Sequence, residues 1–194
     1  MSDDVHPLRR YLAGGFEALR WKLDGLSEYD LRRPLVPSGT NLLGIAKHVA
    51  LVAAGYFGPV FGRPTALAEL MAQFESAEPN ADMWATADES SEYIRGLLDT
   101  AAAEVDAAMA ELPLDASGRV PWWGDHGDVT IEQVAVHMVA ELHRHAGQAD
   151  IVRELIDGAA GLNARNDNLP EVDAEWWAAY RDRLQAVAES FRDS

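Results

Sequence analysis

Apolar residues recur at three- and four-residue spacing along almost the whole chain, and this helical period constrains the fold more than any other feature. Leu8, Leu12, Phe16, Leu19 and Leu23 mark a first amphipathic helix ending near Gly25. Ser27 to Arg33 reads as a short helical turn closed by Pro34. Ser38-Gly39-Thr40 offers capping hydroxyls to a second long helix over about Asn41–Phe61, with Leu42, Ile45, Val49, Val52 and Phe57 apolar. Gly62-Arg63-Pro64 ends it. Residues 65–85 read as a loop with one short helix near Leu67–Phe74. Ser90 or Ser91 caps a third long helix, which runs to about Leu112 ahead of Pro113. Residues 113–129 form a turn-rich loop in which Trp122 and Trp123 are placed to line a pocket mouth. Thr130 with Gln133 is a capping-box pattern opening a fourth long helix, and Gly158 is its natural stop after Asp157. Asn163–Pro170 is a polar loop, and Asp173 caps a last helix to about Phe191.

No strand-like alternation of useful length interrupts this pattern, and no internal repeat is present. The expectation is an all-α fold: one domain over residues 1–194, built as a four-helix bundle with short loop helices. The additional C-terminal helix is expected to pack outside the bundle or to close one end.

The chain has no cysteine, which removes disulfides, thiolate zinc sites, iron–sulfur clusters and a cysteine nucleophile. Its 32 acids against 16 bases give a net charge of −16, a surface that repels phosphate backbones and argues against a nucleic-acid partner. The segment Met1–Pro7 is acidic and has no basic start or apolar core, so it does not read as an export signal. The apolar stretch around Val49–Val60 reads as too short and too glycine-rich to cross a bilayer. The chain is therefore read as soluble and cytoplasmic, with no membrane partner.

The stretch His137-Met-Val-Ala-Glu141-Leu-His143-Arg-His145 concentrates the chemistry. His137, Glu141 and His145 are four apart, and at about 100° per residue they lie along one stripe of the helix. A carboxylate and an imidazole at i and i+4 have converging tips and suit one metal ion. His137 and His145 are separated by roughly 12 Å along the axis and cannot share an ion bound at about 2 Å. A mononuclear site must use Glu141, one of these two neighbours, and a ligand from another helix. His48 is that candidate: it shares an apolar face with Ile45 and Val52 and is flanked by Gly44 and Gly55, which leave room for a facing helix. Two imidazoles and one carboxylate leave an open coordination position, the catalytic arrangement. The blander reading is a hydrogen-bonded core histidine beside a surface Glu–His pair. His6 and His126 lie in terminal or loop segments, and His143 faces away from the stripe. HExxH, GxSxG and nucleotide-binding glycine motifs are absent, as is a ferritin-type pair of ExxH motifs.

Four segments together resemble the DinB-like metal-binding four-helix bundles. They are Gly25–Thr40, Asn41-Leu-Leu-Gly-Ile-Ala-Lys-His48, His137–Glu154 and Asp173-Ala-Glu-Trp-Trp-Ala-Ala-Tyr180. The resemblance is closest to the actinobacterial branch of mycothiol S-transferases and mycothiol-dependent maleylpyruvate isomerase. It implies His48, Glu141 and His145 as the metal ligands, with His137 as a residue that lines the pocket or supports a ligand from behind. Many relatives carry histidine where Glu141 stands, so the site here is one charge more negative. Asp150, Arg153 and Glu154 match a recurrent stretch of the branch, and Asp150 with Arg153 equally suits a structural ion pair.

The implied cofactor is a divalent metal, zinc first, with Ni2+, Mn2+ and Fe2+ also suited to this donor set. The implied partners are a low-molecular-weight thiol, mycothiol, and a small electrophile; apart from the resemblance, the sequence is compatible with a homodimer formed through a helix face. The implied activity is metal-dependent thiol transfer, by conjugation to the electrophile or its isomerisation. A metal-dependent hydrolase on the same site and a non-enzymatic metal-binding bundle are the alternatives. No catalytic residue beyond the metal site is identified, and the thiol-binding residues are not indicated.

Overall fold

Proline at the first helical position, with the His6 ring accepting from the amide of Leu8, starts α1 (Pro7–Leu23) in a computed structural model that describes residues 6–74 and 77–192. The acidic residues 1–5, read above as part of no export signal, lie outside the described residues. Ser27 caps the short α2 (Glu28–Arg32). α3 (Leu42–Phe57), the short α4 (Ala68–Phe74), α5 (Ser91–Glu111), α6 (Ile131–Asp157) and α7 (Ala174–Glu189) follow.

The apolar stripes read from the sequence face one core. Leu12, Phe16, Leu19 and Leu23 of α1 meet Ile94, Leu98, Ala101 and Val105 of α5 and Val134, Met138 and Leu142 of α6. Each fully buried large side chain contributes about 1.5–3 kcal/mol. α1 packs on α6 and α5, and α3 on α5 and α6, so the four long helices form a ring with α1 opposite α3. α1 approaches α6 closely at Gly15, where a Cβ would lie 2.6 Å from the Leu142 side chain. The fold is an all-α four-helix bundle.

α3 is buried on nearly every face. Leu42–Phe61 is long and apolar enough to cross a membrane, contrary to the sequence reading, but 83% of its apolar window is buried inside the bundle. It is the core helix.

The structure corrects the boundaries of α3. Its cap is Asn41, whose side chain accepts from Gly44 N at 2.8 Å, while Ser38 and Thr40 bond each other. It ends at Phe57 rather than Phe61, because Pro59 brings no N–H and the chain turns into a 3-10 segment over Pro59–Phe61. α5 starts on Ser90, one of the two caps expected for it, and α6 on the expected Thr130–Gln133 box.

Residues 113–129 are more ordered than a loop. β1 (Ser117–Arg119) pairs antiparallel with β2 (Asp128–Thr130), and a 3-10 segment, Pro121–His126, crosses between them. Strands of three residues are too short to show a period. Buried Val120 and Val129 anchor this ribbon, which presents Trp122 and Trp123.

Two buried cations tie α1 to the far end of α6. Lys22, fully buried, pairs with Asp150 at 2.6 Å and donates to the Gly161 carbonyl. Arg153 donates to the carbonyls of Lys22 and Asp24 at the end of α1 and pairs with Asp157. Asp150 and Arg153 thus serve separate ion pairs, not one shared pair. Hydrogen bonds from Arg153 hold the Asp157 carboxyl below the usual carboxylate range.

α7 lies outside the bundle. Among the described residues none in this helix is buried, and Leu184 and Val187 are exposed. Trp176 stacks on Tyr180 of the same helix, beside Arg183.

Candidate metal centre

α3 and α6 are neighbours in the ring, and their contact places His48 against one turn of α6. The ring centroids of His48 and His145 are 4.8 Å apart, edge to face. Glu141 lies one turn before His145, with its Oε2 3.4 Å from His145 Nε2. One donor atom from each of His48, Glu141 and His145 lies within 4.8 Å of the other two. His145 is buried, whereas His48 and Glu141 are partly open.

Each imidazole is oriented through its other nitrogen. His48 Nδ1 donates to Asp82 Oδ2 at 2.6 Å, and His145 Nδ1 donates to Gln148 Oε1 at 2.8 Å. That leaves Nε2 of each ring for the shared space, the arrangement in which metal-binding histidines are found. The His145 imidazole is held below the usual histidine value, first by burial and then by the nearby His48. It therefore enters neutral pH uncharged, as a ligand must. Two imidazoles and a carboxylate fit a divalent transition metal.

Asp82 reaches His48 from a 3-10 turn, Ala81–Met83. Three residues of one α3 face grip this segment. Asn41 donates to the Met83 carbonyl, Lys47 donates to the Trp84 carbonyl, and His48 meets Asp82. A Cβ at Gly44 would fall 1.7 Å from the Met83 carbonyl oxygen. The small residue beside His48 therefore makes room for this turn, not for a facing helix as its sequence context suggests. Lys47 is buried and paired with Glu89 at 2.8 Å, which fixes the far end of the same segment.

His48 and Glu141 border a cleft of about 790 Å³, with buried His145 packed against both outside its lining. Its walls include Leu51, Val52 and Tyr56 of α3, Met71 and Phe74 of α4, residues 77–82, and Trp122 and Trp123 from the ribbon. The tryptophans stand at the pocket as the sequence suggests. His137 lines the same cleft outside the three-donor group, its ring 5.0 Å from both Tyr56 and Trp123. His143 is exposed on the opposite side against Tyr11, and His6 and His126 are exposed.

Sequence reasoning missed Asp82, Gln148 and Tyr56. Gln148 carried a signal, since it stands three residues after His145 and so on the same helix face. Asp82 carried none, because a loop residue has no period to betray its partner.

No curated protein matches the chain. A family model described as mycothiol-S-transferase matches residues 7–158. The match spans α1 to α6 with all three donors and stops short of α7.

Proposed function

The chain belongs to the mycothiol S-transferase family, and on that premise we propose that it is a cytoplasmic, zinc-dependent enzyme joining a low-molecular-weight thiol, mycothiol, to a small electrophile. The observation that carries this reading is the open cleft beside three convergent donors. His48, Glu141 and His145 would hold the ion, with Asp82 and Gln148 aiming the two rings. The ion's chemistry is to lower the pKa of a thiol and favour the thiolate near neutral pH.

The remaining steps belong to the protein's own groups. With no cysteine in the chain, the reacting sulfur arrives with the substrate. Tyr56, Trp122 and Trp123 wall the cleft with apolar surface that excludes water and favours a near-attack arrangement. The thiolate sulfur forms a bond to the electrophilic carbon, and the leaving group departs with its bonding pair. His137 stands in the same wall, where its imidazole can pass a proton to or from the thiol or the leaving group.

Zinc titration of apo protein, paired with conjugation of mycothiol to monochlorobimane, tests this. We expect one equivalent of zinc and turnover that depends on both zinc and thiol. His48→Ala and Glu141→Ala should lose both. Full metal retention in both variants would overturn the site, and zinc-loaded protein without thiol conjugation would overturn the reaction. Turnover without thiol would indicate a hydrolase.

A further inference from the structure

The charges and surfaces around the cleft point beyond thiol transfer to the kind of electrophile it admits. On the thiol-transfer reading, we propose that the cleft selects flat, apolar electrophiles that are uncharged or cationic and rejects carboxylates.

Among the described residues, no lysine or arginine lines the cleft, and the sequence offers only Glu75 and Ser76 between Phe74 and Ala77. Three carboxylates do line it: Glu141 among the donors, Asp82 behind His48, and exposed Glu78 at the rim. They offset the charge of a divalent ion, and a thiolate adds another negative charge. An anion entering beside them meets repulsion with no lysine or arginine in the lining to compensate, since Arg144, whose charge reaches His145, stands outside it, and burying a charge unpaired is costly.

The nearest ammonium cannot serve. Lys47 Nζ is 5.0 Å from the Phe74 ring centroid, on a buried side chain committed to Glu89 and the Trp84 carbonyl. The indole N–H of Trp122 is also taken, donating to Tyr56 Oη at 3.3 Å. What the walls offer is aromatic surface: Tyr56 meets Trp122 and Trp123 with centroids 5.3 and 5.7 Å apart. Such a pocket favours a flat apolar body over a charged chain.

The test uses chlorodinitrobenzenes that differ in one remote substituent: hydrogen, carboxylate or trimethylammonium. Each rate with mycothiol and zinc-loaded protein is divided by its uncatalysed rate. We expect kcat/KM for the carboxylate to be lower than for the neutral compound by roughly tenfold or more, as for like charges several ångströms apart in a partly dry site. Glu78→Lys should narrow that gap. Equal use of all three, or a preference for the carboxylate, overturns the proposal.

A second arm needs no turnover. Quenching of tryptophan fluorescence by unreactive dinitrotoluene and dinitrobenzoate should show the same preference in zinc-loaded protein. A preference in binding without thiol turnover would sink the proposed reaction and keep the selectivity. Turnover without any preference in either arm would do the reverse.

Discussion

Asp82 Oδ2 sits 2.6 Å from Nδ1 of His48, 34 residues away in sequence, and so links the candidate metal centre to the wall of its cleft. Removing an acceptor of this kind typically costs 10–100-fold in metal affinity. Asp82→Ala is expected to weaken zinc binding by roughly that factor, with Asp82→Asn weakened less because its amide oxygen still accepts. A competition titration against a zinc-chelating dye reads the effect. Unchanged affinity in Asp82→Ala would mean that His48 needs no orienting partner.

The close approach at Gly44 makes a second prediction about the same turn. A methyl group there overlaps the Met83 carbonyl, which is backbone and must shift. Gly44→Ala is expected to cost about 1–3 kcal/mol of stability, the range for overpacking. It should also weaken zinc binding, because the displaced turn carries Asp82. Combined with Asp82→Ala, the affinity losses should not add, since both act through one contact. Full additivity would show that the two residues act separately.

The Lys47–Glu89 pair sets a dependence on acid. Burial raises the Glu89 carboxyl pKa, but hydrogen bonds from Lys47 and the Thr86 amide outweigh it and hold the group below its usual 4.5. A carboxyl depressed on folding stabilises the protein fully above its unfolded value, and that stability is lost as pH falls through the folded value. Glu89→Gln is expected to cost about 3 kcal/mol at neutral pH by leaving a buried ammonium unpaired. The gap in Tm between wild type and Glu89→Gln, measured without metal, should shrink from pH 5 to pH 3. A gap independent of pH would remove this pair from the account.

Nothing in α7 is buried, so the bundle is expected to stand without it. Protein ending at Pro170 retains Gly161, which accepts from Lys22, and the whole family-matched segment. Its Tm should stay within a few degrees of the full chain, since the loss of exposed contacts usually costs under about 0.5 kcal/mol each. Its zinc stoichiometry should be unchanged. A large drop in either measurement would show that α7 supports the bundle.

What was legible in the sequence was local. The Thr130–Gln133 box and the Ser90 and Asp173 caps follow from residues three apart, and Glu141 with His145 follows from one helical turn. Spacing alone left His137 and His145 as rivals. The packing of α3 on α6 sets His145 against His48 and leaves His137 among the aromatic side chains of the cleft. The N-cap of α3 was misjudged because Ser38, Thr40 and Asn41 all offer oxygens within four residues, and only tertiary packing selects one. Asp82 and the β1–β2 ribbon depend on contacts between segments far apart in sequence, which no period records, and only such contacts choose between the two expected places of α7.

The turn that carries Asp82 belongs at once to the cleft wall and to the candidate ligand His48, which would make metal and cleft-bound compound reporters of one another. By thermodynamic reciprocity, a compound that enters the cleft and alters the affinity for zinc has its own affinity altered by zinc by the same factor. A zinc titration repeated across a collection of compounds can therefore find what enters the cleft before any reaction is known.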